Sequence, residues 1–334
     1  MDRNSIIGVI LIFLILIGFS YFNKPSEQQI AAAKHQRDSI EQVRIEQEKE
    51  IAQEKKLDET QATMSTASHG DSVLTAVDQA RKEKFGAFAS VSVGKEKFYT
   101  IENNLIKVTF SNKGGRIYSV ELKNYKTYQG KPLILFEGNT SKFGLNFFSQ
   151  NKSIETESFY FIPSDSAANQ VISGPVVKKG HEGIEDYNIK NKGESKVFTM
   201  RLPISDGKYL EYKYSLAYNS YLIGFELNTK GMQDLITLTS NSPSFNWAIA
   251  MPRQERQSKY GEDNYSTIYY KFQDDDVEKL STSKSGSESL RTKTQWISFK
   301  QLFFASTLIA ETPLPSADID TELTNEDSLY VGNF

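Results

Sequence analysis

The sequence predicts a mainly β protein, a large antiparallel sandwich, and three observations lead there. Apolar residues recur with period two at Ile106, Val108 and Phe110 and again at Leu210, Tyr212, Tyr214 and Leu216. Strict alternation of this kind marks strands with one buried and one wet face. Turn-forming residues, Asn112-Lys113-Gly114-Gly115 and Asn219-Ser220, stand between such runs. The chain also holds 17 Tyr and 21 Phe, with no long amphipathic helix among them beyond Phe98. Aromatic and β-branched residues suit a pleated, half-buried surface, and two sheets packed face to face bury both inner rows.

In order along the chain, Ile6–Phe22 is a run of 17 uncharged residues. As a helix it spans about 25 Å, enough to cross a bilayer. A membrane anchor is expected here, with Ile6, Ile10, Phe13, Leu14, Ile17 and Phe22 in lipid. The rival reading, a cleaved signal peptide with Gly18-Phe19-Ser20 as its site, is opposed by the length of the run and the nearly neutral segment before it. Lys24, Lys34 and Arg37 follow closely, so charge leaves the orientation open.

Residues 25–97 read as a charged helical stalk and flexible linker. The stretch to Thr60 is rich in Glu, Gln, Lys and Ala without a sustained heptad. Small polar residues fill Thr60–Ser72, and a short helix-like piece, Val73–Lys84, follows. Residues 98–334 form the folded body. Its hairpins are expected at Ile106–Leu122 and Tyr209–Leu227, with further strands at Phe143–Phe148, Val197–Leu202, Leu235–Thr239 and Ser266–Phe272.

"QWISFKQLFFASTLIA", Gln295–Ala310, looks at first like a second membrane segment. Lys300 sits at its middle, and a charge at the centre of a spanning helix costs about 3 kcal/mol. Apolar residues on both faces at period two read instead as one central strand buried in the sandwich, with a surface helix through Trp296, Phe299 and Phe303 as the alternative.

Composition excludes several functions. The net charge of -3 and pI near 5.8 give a nucleic acid no basic surface. There is no cysteine, and the three histidines, His35, His69 and His181, are scattered, so neither a metal site nor a cofactor is expected. Asp274-Asp275-Asp276 reads as a solvated turn rather than a calcium loop. Ser92-x-x-Lys95 and Ser281-x-x-Lys284 lie in polar loops, where that spacing arises by chance. No frame of catalytic residues emerges, and the chain is not expected to be an enzyme. Trp247, Arg253 and Arg256 offer a candidate partner-contact loop, an aromatic anchor with two Arg forks, though a core Trp followed by an exposed connection explains them as well.

An apolar N-terminus, a charged stalk, "YTIENNLIKVTFSNKGGRIYSVELKNY" (Tyr99–Tyr125), "YSLAYNSYLIGFELN" and "QWISFKQLFFASTLIA" follow one another here. In that order they resemble the YidC membrane protein insertases, and the "RQERQ…NYSTIYYKF" region is similar to their Bacteroidetes members. The resemblance implies a periplasmic β-supersandwich behind a transmembrane helix (1–24), with the bulk of the chain (98–334) outside the bacterial inner membrane. It implies a role in inserting and folding integral membrane proteins, and partners in the Sec translocon (SecYEG, SecDF), nascent membrane proteins, lipoproteins and membrane lipid. Family members continue into a five-helix membrane core, so a truncated or partial chain is expected. Because the supersandwich is shared with mutarotases, the alternative is a membrane-anchored carbohydrate-binding or mutarotase-like protein.

Overall fold

The computed structural model describes residues 71–334 apart from 164–169, 174–193, 237–242, 259 and 325–327. The chain divides into two units, Met1–Thr75 and Ala76–Phe334. Of the first, only Asp71–Thr75 are described, within helix α1 (Asp71–Phe85). The expected anchor and the stalk to Thr60 lie outside the described residues, as does His181. No helix among the described residues is long and apolar enough to cross a membrane.

The second unit is built of β-strands. A meander opens it, with β1 (Phe98–Glu102), β2 (Ile106–Ser111), β3 (Arg116–Lys126) and β4 (Pro132–Glu137). Then come the hairpin β5 (Ser141–Ser149) and β6 (Lys152–Glu155) and two short pieces, β7 (Ile162–Pro163) and β8 (Gln170–Val171). A second meander is β9 (Ser195–Ser205), β10 (Lys208–Ala217) and β11 (Ile223–Lys230). β12 (Ser244–Pro252), β13 (Thr267–Phe272), β14 (Val277–Lys279), β15 (Gly286–Leu290), β16 (Thr294–Lys300), β17 (Ala305–Leu314), β18 (Ala317–Leu323) and β19 (Ser328–Asn333) complete it.

These strands make four sheets, in the orders β4-β3-β2-β1-β8, β11-β10-β9-β7, β15-β18-β19-β12-β5-β6 and β14-β13-β16-β17. Every pairing is antiparallel except β1 with β8. The mainly β, antiparallel sandwich expected from the sequence is the fold found.

One continuous core joins the sheets. Phe110 of β2 meets Phe198 and Tyr214 of the second meander at 5.0 and 4.8 Å, and Trp247 of β12 meets Phe299 of β16 edge-on at 5.0 Å. Each such ring removes large apolar area from water, worth about 2–3 kcal/mol per buried side chain. The core reaches upstream of Phe98, because Phe88 and Val91 are buried in it. The buried tyrosine hydroxyls of the second meander are paired: Tyr214 donates to the Gly115 carbonyl at 2.7 Å, and the Tyr212 and Thr156 hydroxyls share a bond at 2.9 Å. Gly115 has φ +61°, and a Cβ there would lie 2.9 Å from the Phe161 ring, so the turn requires glycine on both counts.

The expected alternation holds in β2 and β10, where Ile106, Val108 and Phe110 and then Leu210, Tyr212, Tyr214 and Leu216 are all buried. It fades in β11. Ile223 and Phe225 are half-buried, while Tyr221 and Leu227 are exposed.

Two expectations are corrected. Leu235 and Ile236, the start of the expected strand Leu235–Thr239, lie in a turn whose N–H groups bond to the Met232 carbonyl at 3.0 and 2.9 Å, and 237–239 lie outside the described residues. Gln295–Ala310 is a hairpin, β16 and β17, which turns at Gln301–Phe304. Only β16 is central. Ile297 and Phe299 are fully buried, whereas Phe303 and Ile309 are exposed. The turn lacks the usual Gly, Asn, Asp or Pro and is held by side-chain bonds, one tertiary and two local. The Gln301 side chain, itself buried, donates to the Pro252 carbonyl, and the Lys300 ammonium donates to the carbonyls of Gln301 and Leu302.

Candidate functional site

A cleft of about 580 Å³ opens where β2, β3 and β4 face the β16–β17 turn. Ile106, Val120, Leu122 and Leu135, all buried, form its floor. They are the inward residues of three adjacent strands, so the alternation that builds the sheet also makes the floor apolar.

Its rim comes from distant segments. Tyr125 and Lys126 lie where β3 and β4 lose register between Leu122 and Lys126. Tyr221 stands in the β10–β11 turn, which two asparagines of the β1–β2 turn hold in place. Asn103 donates to the Ala217 and Ser220 carbonyls, and the Asn104 side chain accepts from the Asn219 N–H. Phe303, Phe304 and Ala305 close the far side, with Phe304 edge-on to Tyr125 at 5.4 Å. Desolvation, then the charge and hydrogen bond of Tyr125, push the Tyr221 phenol above its ordinary pKa.

Glu255 completes the rim, and its loop is latched from inside. The buried Glu262 carboxylate accepts the N–H groups of Gln254 and Glu255, both at 3.0 Å. Burial raises the Glu262 pKa, while those two bonds and Arg253 oppose the shift. Arg253 makes a bidentate pair with Asp263 at 2.8 and 2.9 Å. That pairing raises the Arg253 pKa and lowers the Asp263 pKa. Gln254 ties the loop to the β3–β4 side through the Ile134 carbonyl (2.6 Å) and the Tyr128 N–H (3.1 Å).

The result is an apolar cleft with an aromatic rim and two opposite charges, Lys126 and Glu255, at its mouth. Its size and lining suit a bulky apolar side chain or a short apolar segment. Among the described residues no group of His, Asp and Glu is placed to hold a metal.

Residues 99–334 match the family model described as the YidC periplasmic domain. The chain belongs to the YidC family. It is 33% identical over 334 residues to the protein named membrane protein insertase YidC of Bacteroides fragilis. Against the proteins of the same name from Parabacteroides distasonis and Porphyromonas gingivalis, identity is 30% over 98% of this chain and 29% over its full length. In all three the match covers 47% of the relative, so the chain spans about half the length of these YidC proteins. A galactose mutarotase related enzyme from Lactobacillus acidophilus aligns at 13% identity over 71% of this chain and 84% of its own, with a TM-score of 0.39. At that score the likeness carries no argument about function.

The sequence-derived loop residues fall in different settings within this YidC domain. Trp247 is buried in β12 against Phe299 and Phe334 and does not line the cleft. Arg253 is tied to Asp263 beside the rim, and Arg256 is exposed just past Glu255. The anchor residues Ile6, Ile10, Phe13, Leu14, Ile17 and Phe22 lie outside the described residues. The rim aromatics Tyr125, Tyr221 and Phe303 escaped sequence reading, although large aromatics at the ends of alternating runs, beside turns, were the available signal.

Proposed function

We propose that this chain is the anchor and periplasmic portion of a membrane protein insertase and chaperone, which aids insertion, folding and assembly of integral membrane proteins, alone or with the Sec translocon. The match of residues 99–334 to the YidC periplasmic domain carries this reading, and the names of the full-length relatives support it. In it, residues 1–24 hold the chain in the bacterial inner membrane, residues 25–97 space the body from the lipid, and residues 98–334 work in the periplasm. The domain acts by binding rather than by making or breaking bonds. Nascent membrane proteins, and lipoproteins among them, are its clients, SecYEG and SecDF its partners. Arg256, exposed beside a loop that Arg253 helps to fix, is offered for partner contact.

Depletion of the protein that carries this chain tests the reading. Protease accessibility of an inner-membrane reporter should then show uninserted reporter accumulating; insertion at the normal rate would overturn it.

A further inference from the structure

A sheet edge exposes a row of unpaired backbone N–H and C=O groups, and folded proteins guard it with charge, proline or shortness. Among the described residues each sheet edge carries such a guard, but not along its whole length. β4 begins at Pro132 and ends at Glu137, β6 carries Lys152 and Glu155, and β11 carries Glu226 and Lys230. β14 holds Glu278 and Lys279, β15 holds Glu288, and β7 and β8 are two residues each. β17 keeps its own guards, Glu311 and Pro313, at its far end, where its pairing with β16 shifts register; before them, from Leu302 to Ala310, stand nine residues without a charge or a proline. On the side away from β16, β17 has no neighbouring strand among the described residues.

The turn sets which groups point outward. The Gln301 N–H donates to the Phe304 carbonyl at 2.8 Å, and bonded pairs alternate along an antiparallel ladder. Ser306 and Leu308, opposite Phe299 and Ile297, therefore bond to β16, while Ala305, Thr307 and Ile309 direct their N–H and C=O groups to the free side. The 2.7 Å contact between the Ser298 and Thr307 hydroxyls agrees, because side chains approach most closely at non-bonded pairs. Ile309 is 60% exposed and Phe303 69%. Ala305 belongs to both the edge and the cleft, so a strand laid along β17 runs into the cleft mouth.

We propose that β17 is a strand-addition site for an extended, uncharged segment of another polypeptide, with one bulky apolar side chain seated in the cleft between Tyr125, Tyr221 and Phe303. An extended backbone is required because only another strand satisfies alternating outward donors and acceptors. An uncharged one fits best because a charge laid over the apolar side chains of Phe303 and Ile309 loses hydration. A second copy fits less well: antiparallel self-pairing about Thr307 sets the Glu311 of that copy opposite Phe303. That the segment comes from a membrane protein in transit rests on the proposed function; the strand site does not.

The test is fluorescence anisotropy with the full chain in lipid nanodiscs and a fluorescein-labelled peptide of alternating Val and Thr around one central Phe. Binding is expected, and N-methylation of alternate peptide residues should weaken it roughly tenfold or more. Thr307→Pro should do the same, because it deletes an outward N–H and none bonded to β16. Ile309→Lys, at an exposed side chain, is the second variant should the proline disturb folding. Failure to bind, or binding indifferent to N-methylation, would overturn the proposal. So would light scattering that shows a dimer which Ile309→Lys dissolves, since the edge would then belong to a second copy. Peptide binding combined with normal reporter insertion after depletion would support the strand site and remove the insertase reading.

Discussion

The β10–β11 and β16–β17 hairpins begin from similar material, a central strand of alternating apolar residues followed by an apolar return. In the first, the return strand β11 is guarded by Glu226, paired with Lys213, and by Lys230. In the second, the return strand β17 is uncharged from Ala305 to Ala310, with Glu311 and Pro313 only towards its end, and Phe303 and Ile309 stand in solvent. Burial explains the central strands of both. It explains Leu308 and Leu314, which pack against the core, but not Phe303 and Ile309, which do not. The contrast separates apolar residues kept for packing from apolar residues kept at a surface.

The largest effect that would break this contrast lies within one hairpin. Phe299→Ala empties a fully buried position stacked on Phe334 and should cost about 3–5 kcal/mol in denaturant unfolding. A loss below about 1 kcal/mol would mean that β16 is not core. In the other hairpin, Tyr214→Phe leaves the buried Gly115 carbonyl without its donor and should cost about 1–3 kcal/mol. A neutral result would show that water replaces the hydroxyl.

A smaller effect depends on pH and concerns the loop latched beside the open hairpin. Because burial raises the Glu262 pKa, the folded state binds that proton more tightly than the unfolded chain does. The resulting stabilisation is complete below the ordinary carboxylate range and is lost as pH rises through the raised folded value. The stability of the wild type relative to Glu262→Gln should therefore increase on acidification from neutral pH. A difference that shrinks instead would mean that the two N–H bonds outweigh burial. Least of all, Phe303→Ala should change stability by no more than about 0.5 kcal/mol, since its ring already lies in water. A core-sized loss there would erase the distinction between the two hairpins.

Much of the sandwich is legible in the sequence where its two faces differ in chemistry. Leu210, Tyr212 and Tyr214 alternate with Glu211, Lys213 and Ser215, and the turn ends at Asn219, whose φ of +56° asparagine tolerates well. Gln295–Ala310 misleads because both of its faces are apolar and its turn has no local signature. The bond from Gln301 to Pro252 that holds it joins residues 49 apart. The cleft was hidden for the same reason. Its floor follows from the alternation of β2, β3 and β4, but its rim assembles from four separate segments that only the fold brings together. Glu262 reads as one acid in a polar stretch, and only burial shows it as the latch of the Gln254–Glu255 backbone.

The open edge of β17 is tested most directly by amide exchange followed residue by residue, without and with the Val/Thr peptide. In the free chain Ala305, Thr307 and Ile309 should exchange fast beside protected Ser306 and Leu308, and the peptide should protect those three while β11 stays unchanged. Protection of all five residues in the free chain, or protection by the peptide that appears on β11 instead, would contradict it.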